Sequence, residues 1–193
     1  MRKIERFYEN PIDNVNIDIV DILCPFFKKL NLTPNDITTL SLITGFLSLY
    51  CLYKDYILSF CILYYISYIF DCMDGHYARK YNMVSKFGDM YDHIKDISVT
   101  ITLLVLLYSR YKDQINITVI LILVLATICM FSHLGCQENV YSKRESKSLN
   151  ILKNMCPNPK NIIYSRFVGC GTFIFIVILI VLYLEYTKNN KNN

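Results

Sequence analysis

Long, nearly uncharged apolar blocks run through this chain and leave it few ways to fold. Residues 37–53, 56–70, 115–134 and 162–186 each come close to the roughly 20 mostly apolar residues a membrane helix needs. A fifth block, 97–108, is too short alone. It becomes long enough if its helix starts near Lys86 and carries polar first turns at the membrane surface. The expectation is an all-α integral membrane protein, a bundle of five transmembrane helices. Composition agrees, with 53% hydrophobic and 19% charged residues and a mean hydropathy of +0.30. The 193 residues suit one domain. A formal charge of +4, with no basic tract interleaved with aromatics, gives no basis for nucleic-acid binding.

Ahead of the first span, Ile12, Val15, Ile19, Ile22 and Phe26 recur at helical spacing, with Asp13, Asn14, Asp18 and Asp21 between them. This predicts an amphipathic helix lying in the interface, bent near Pro25, in preference to a soluble helix packed on loops. Thr33-Pro34-Asn35-Asp36 carries helix-start chemistry: a capping Thr, a first-turn Pro and a capping-box acid. Residues 1–36 therefore form an N-terminal segment, 37–186 the membrane domain and 187–193 a polar tail. Residues 137–161, with Pro157 and Pro159, read as a loop. Residues 1–16 hold no apolar stretch of the kind a cleavable signal peptide needs. The eight cysteines form no C-x-x-C pair and are expected to be free, buried thiols.

Fifteen of the 20 Lys and Arg residues fall on one side of such a bundle, and only Lys54, Arg110, Lys112, Lys188 and Lys191 on the other. The positive-inside bias makes the first side cytoplasmic, and with it the segment 71–96. That segment holds the chemistry. Asp71 and Asp74 are three apart, with Gly75 and Ala78 continuing their face, and Gly88, Asp92 and Asp96 follow at spacings of four. Two helix ends joined by a short turn can aim four carboxylates at one point. Acids at membrane depth are costly and mark function, and four of them together repel unless cations intervene. Hard oxygen ligands suit Mg²⁺, Mn²⁺ or Ca²⁺. The small residues allow a ligand close to the backbone, and Arg79 is a natural phosphate partner.

The pattern D-x-x-D-G-x-x-A-R, eight residues, then G-x-x-x-D-x-x-x-D resembles the signature of the CDP-alcohol phosphatidyltransferase family. Asp71, Asp74, Gly75, Ala78, Arg79, Gly88, Asp92 and Asp96 all match it. Eight identities at fixed spacing arise by chance on the order of once in 10¹⁰. Residues 33–38 also resemble the start of the family's first membrane helix.

The resemblance implies that Asp71, Asp74 and Asp92 bind two Mg²⁺ or Mn²⁺ ions, with Asp96 completing the metal site and serving as general base. Gly75, Ala78, Arg79 and Gly88 would line the CDP pocket. The acceptor hydroxyl would attack the phosphorus farther from cytidine, and CMP would leave. A CDP-alcohol donor, an alcohol acceptor, membrane lipids and a second copy of the chain are the implied partners. The location is a multi-pass membrane with the site facing the cytoplasm, the endoplasmic reticulum or another endomembrane in a eukaryote. The family usually has six membrane helices; a sixth here would have to lie in residues 137–161, which are too polar.

Several residues have two readings. Asp89 is a further ligand or, more simply, a solvated first-turn acid. His93 contacts the metal site or acceptor, or is a solvated or core histidine, and so is His76. His133 at a span's end should face the cytosol. Tyr64, Tyr65 and Tyr68 suit packing. Lys143, Arg144 and Lys147 suit a positive-inside loop, and Arg166 is the better candidate for holding an anion.

Among rival functions, an intramembrane prenyltransferase places its acidic motifs on well-separated helices, a transporter site lies near the midplane, and a scaffold would have lost an acid. Size favours CDP-diacylglycerol as donor, whereas Asp92-His93 is a dipeptide of enzymes using CDP-choline or CDP-ethanolamine.

Overall fold

The computed structural model describes residues 2–141, 148–156 and 158–192. Six long helices appear among them: α1 (Pro11–Lys29), α2 (Pro34–Tyr53), α3 (Ile57–Lys80), α4 (Lys86–Tyr111), α5 (Ile117–Val140) and α6 (Cys170–Asn192). Four stretches are apolar and long enough by themselves to cross a membrane, those of α2, α3, α5 and residues 159–191. The fifth long bundle helix is α4, which starts at Lys86 as expected. Its 26 residues reach about 39 Å at 1.5 Å per residue. Among the described residues of 141–161 no long helix forms; 148–155 is a short 3₁₀ helix. Residues 143, 144 and 147 lie outside the described residues.

Local chemistry sets the helix ends. The capping box forms as expected: Thr33 Oγ1 accepts from Asp36 N–H at 3.3 Å, and Asp36 Oδ2 accepts from Thr33 N–H at 2.7 Å. Ser85 Oγ caps α4 through Gly88 N–H at 3.0 Å. Just past α1, α2 and α3, Asn31, Asp55 and Asn82 adopt φ of 55°, 66° and 56°. Asn and Asp tolerate this left-handed conformation, which turns the chain back after each helix.

Small polar residues bring α2 and α3 together. Ser41 Oγ donates to Ser67 O at 2.9 Å and Ser67 Oγ to Ser41 O at 2.8 Å. At Gly45 an added Cβ would stand 3.1 Å from Ser67 Oγ and 3.2 Å from Val99 Cγ2, so the α2–α3–α4 crossing depends on the missing side chain. Around it Leu49, Leu52, Phe60, Leu103, Tyr111 and Val181 form the buried core. Only 17% of the apolar stretch of α5 is buried within the protein, which leaves the rest to face lipid.

The amphipathic α1 has two working faces. Of the predicted stripe, Val15, Ile19, Ile22 and Phe26 point outward, whereas Ile12 is half-buried against Gly171. The opposite face, with Asp13, Asn16, Ile17, Val20 and Cys24, is buried. Tyr65 donates to Asn16 Oδ1 at 2.7 Å, and Tyr68 donates to Asp13 Oδ1. Pro25 lies within the helix, which runs on to Lys29.

Two expectations need correction. Cys136 and Cys156 form a disulfide, with Cα atoms 5.1 Å apart across 20 residues of sequence. Residues 148–155 fold back along the end of α5, where Gly135 leaves room for the backbone at Leu152. The six other cysteines are free. His133 does not face solvent; it is fully buried, with Nδ1 3.1 Å from Ser165 Oγ and Nε2 3.1 Å from Gln137 Nε2.

Candidate active site

The C-terminal end of α3 and the N-terminal end of α4 meet at the mouth of the bundle, beside the start of α2 and the end of α5. Their acids converge there. Asp71, Asp74 and Asp92 each present a carboxylate oxygen within 4.8 Å of the other two. Asp96 is not part of that trio; it lies beyond Lys95, with its side chain 57% exposed. The second acid, Asp74, is 7% exposed and fixed by Thr38, whose Oγ1 lies 2.8 Å from Asp74 Oδ2. The same oxygen lies 3.1 Å from Pro34 O. One hydroxyl proton cannot serve both, and the charged acceptor makes the stronger bond.

An open cavity of about 200 Å³ lies against the trio. Of the expected site residues it is lined by Asp74, Gly75, Ala78, Arg79, Gly88 and Asp92, but not by Asp71 or Asp96. Arg79 lies across Gly75, where a Cβ would stand 3.2 Å from Nη1. A Cβ at Gly88 would stand 3.1 Å from both Asn35 Oδ1 and Ser85 Oγ, so glycine keeps this wall of the cavity low. The far wall is polar: Lys3, paired with Glu138, and Tyr141.

The donor set fits a hard divalent cation. Three clustered carboxylates are the oxygen ligands such ions take. In addition, Asp92 Oδ1 is buried and makes no hydrogen bond of good geometry among the described residues, its cationic neighbour being Lys95 Nζ at 3.1 Å.

The residues with two readings now have places. Asp89 lines the cavity. His93 also lines it, and both of its ring nitrogens are buried without a hydrogen-bond partner among the described residues. His76 is a core histidine, its Nε2 2.7 Å from Asp21 Oδ1 on α1. Arg166 is absent from the cavity; it binds Phe7 O and lies 4.8 Å from the rings of Phe7 and Phe167.

Sequence reasoning missed Thr38, the Lys3–Glu138 wall and, above all, Lys95. That lysine is 3% exposed and pairs with Asp71, Asp92 and Asp96. Only its position between Asp92 and Asp96 could have signalled it.

Comparison with known proteins places this site in a family. The family model described as CDP-alcohol phosphatidyltransferase matches residues 31–190. An uncharacterized protein of Aquifex aeolicus is 29% identical over 153 residues, covering 78% of this chain and 69% of that protein. The CDP-diacylglycerol–inositol 3-phosphatidyltransferase of Saccharomyces cerevisiae is 38% identical over 42% of this chain and 36% of that enzyme. The CDP-diacylglycerol–serine O-phosphatidyltransferase of Methanocaldococcus jannaschii is 34% identical over 46% of this chain and 41% of that enzyme. The chain thus spans about two-fifths of the length of these two enzymes. No solved structure matches. With six of the eight motif residues lining one cavity and the family model covering both helices that carry them, the chain belongs to the CDP-alcohol phosphatidyltransferase family.

Proposed function

We propose that this chain is a transferase of phospholipid synthesis, moving the phosphatidyl group of CDP-diacylglycerol to a polar alcohol with release of CMP. The observation that carries the proposal is the convergence of Asp71, Asp74 and Asp92 beside a cavity lined by Gly75, Ala78, Arg79 and Gly88. Family membership supplies the reaction class, and the names of the yeast and archaeal relatives support CDP-diacylglycerol as donor. The polar far wall of Lys3, Glu138 and Tyr141 suits a water-soluble acceptor such as inositol or serine better than diacylglycerol.

In this mechanism Asp71, Asp74 and Asp92 would hold a divalent metal, Mg²⁺ or Mn²⁺, whose charge would offset that of the diphosphate and of the departing CMP. Thr38 orients Asp74. Arg79 binds a phosphate oxygen, and the low wall at Gly75, Ala78 and Gly88 admits the nucleotide to the backbone. Asp96, off the cavity lining and 57% exposed beside Lys95, would take the proton of an acceptor hydroxyl brought to the edge of the cluster, the role the family resemblance implies. The acceptor oxygen then bonds to the phosphorus bearing the diacylglycerol, and the bond from that phosphorus to the oxygen of CMP breaks. Positioning and charge neutralisation carry the rate, as in other phosphoryl transfers.

The same reading makes residues 37–186 the membrane domain, with residues 1–36 before it and a polar tail after. The mouth of the cavity faces the cytoplasm, supported by the fifteen Lys and Arg residues on that side. The protein acts in the endoplasmic reticulum or another endomembrane if its source is a eukaryote. A homodimer is supported by α4, where Phe87, Met90, Ile94, Ile97, Ile101, Leu104 and Tyr108 are all exposed. They are spaced alternately three and four apart, the seam of a paired helix.

The test is product identification by mass spectrometry. Reconstituted protein receives CDP-diacylglycerol with isotope-labelled inositol, serine or glycerol phosphate, and in parallel CDP-choline with diacylglycerol. A labelled phosphatidyl product from one polar alcohol is expected; phosphatidylcholine alone would overturn the donor assignment.

A further inference from the structure

One side chain inside the acidic cluster has no part in that mechanism. Lys95 follows Asp92 by three residues and precedes Asp96 by one, so the helix brings it to the side of α4 that carries both acids. Lysine is almost never this buried unless paired, and here the side chain is 3% exposed. Its Nζ contacts Asp71 and lies 2.8 Å from Asp96 Oδ1 and 3.1 Å from Asp92 Oδ1. It does not line the cavity.

The four acids therefore divide into two sides. Asp74 and Asp92 face the cavity, whereas Asp71 and Asp96 do not line it; the lysine ammonium joins Asp71 to Asp96 and also reaches Asp92 from behind at 3.1 Å. A Mg²⁺ ion bridging Asp71 and Asp96 would stand about 2.1 Å from an oxygen of each. That is the volume Nζ fills. In two-metal sites the ions stand only about 3.5–4 Å apart, so a tethered cation at Asp71–Asp96 occupies the place of the second ion.

Resting on the reading of the cluster as a divalent-metal centre, we infer that Lys95 holds one of the two cation positions the family resemblance implies. This chain then takes a single divalent ion, on the Asp74 side, next to the cavity. Lys95 is a positioning residue. Its ammonium ties Asp71 of α3 to Asp96 of α4 and offsets their repulsion without needing a second metal.

The experiment counts ions. Full-length protein in lipid nanodiscs is titrated with Mn²⁺, and the bound metal is quantified by mass spectrometry and by electron paramagnetic resonance. Asp74→Asn serves as the blank for adventitious ions. Wild type should bind one Mn²⁺ per chain, with the spectrum of an isolated ion. Lys95→Ala, which frees both the charge and the volume, should double this to two, with the broadened spectrum of a coupled pair.

Two coupled ions in the wild type would overturn the inference whether or not the variant folds. A single ion in a folded Lys95→Ala would overturn it too, because the lysine would not be what excludes the second. No Mn²⁺ above the blank in the wild type would instead overturn the metal-centre reading beneath it.

Discussion

Replacing Thr38 by Val keeps the shape of the side chain and removes one hydroxyl, and its consequence can be worked from the site. Thr38 is 2% and Asp74 7% exposed, so water does not readily replace the 2.8 Å bond between them. A hydrogen bond to a charged group contributes about 1.5–3 kcal/mol, and loss of a partner that orients a metal ligand costs about 10–100-fold in metal affinity or activity. At about 1.4 kcal/mol per decade the two ranges agree. Thr38→Val should raise the Mn²⁺ concentration for half-maximal CMP release about 10–100-fold, with most of the rate returning at saturating metal. Thr38→Ser, which restores the hydroxyl, should restore the metal dependence. A half-saturating Mn²⁺ within about twofold of wild type, at unchanged rate, would refute the role given to Thr38 and weaken that of Asp74 as a ligand.

Other outcomes test other parts of the account. Asp71→Asn and Asp74→Asn should abolish turnover, read as CMP release, whereas Asp96→Asn should still bind nucleotide and metal by calorimetry yet lose turnover. Gly45→Leu would overfill the α2–α3–α4 crossing, where even a Cβ meets Ser67 and Val99; overpacking costs about 1–3 kcal/mol, and thermal unfolding in detergent should show it. Partial burial raises the carboxyl of Asp21, but hydrogen bonds from Lys80 and His76 outweigh it and pull it down to about 2. A carboxyl lowered in the folded state stabilises fully above its ordinary range and loses that contribution as pH falls through its folded value. The docking of α1 on α3 should therefore weaken between about pH 4 and pH 2. Because the chain has no tryptophan, Leu23→Trp emission would report this release, and Asp21→Asn should remove the pH dependence. A membrane-impermeant thiol reagent should label Lys29→Cys from the cytoplasmic side and Lys112→Cys from the other, in a cysteine-free background.

Much of this arrangement is legible in the sequence because its causes are local. Apolar block length fixes the spans, Thr33–Asp36 fixes one helix start, and spacing puts Asp71 and Asp74 on one helix face and Asp92 and Asp96 on another. The parts that escape depend on which segments meet. Thr38 is 36 residues from Asp74, and nothing near either one announces the bond. Cys136 and Cys156 look like free thiols until residues 148–155 fold back on α5. Asp13 reads as part of the polar face of an amphipathic helix, yet Tyr68 takes it into the bundle. Lys95 counts as one more positive-inside charge until α3 and α4 close on it. Asp96, though matched by spacing to Asp92, stands apart from the trio because that lysine intervenes.

The central claim is that Asp71, Asp74 and Asp92 form a metal-dependent centre for phosphatidyl transfer. The most direct measurement is CMP release by reconstituted protein given CDP-diacylglycerol and a panel of polar alcohols, with Mn²⁺ or with chelator, against Asp92→Asn. The account predicts CMP that requires metal and acceptor and is absent in the variant. CMP formed equally with chelator, or by folded Asp92→Asn, would contradict it.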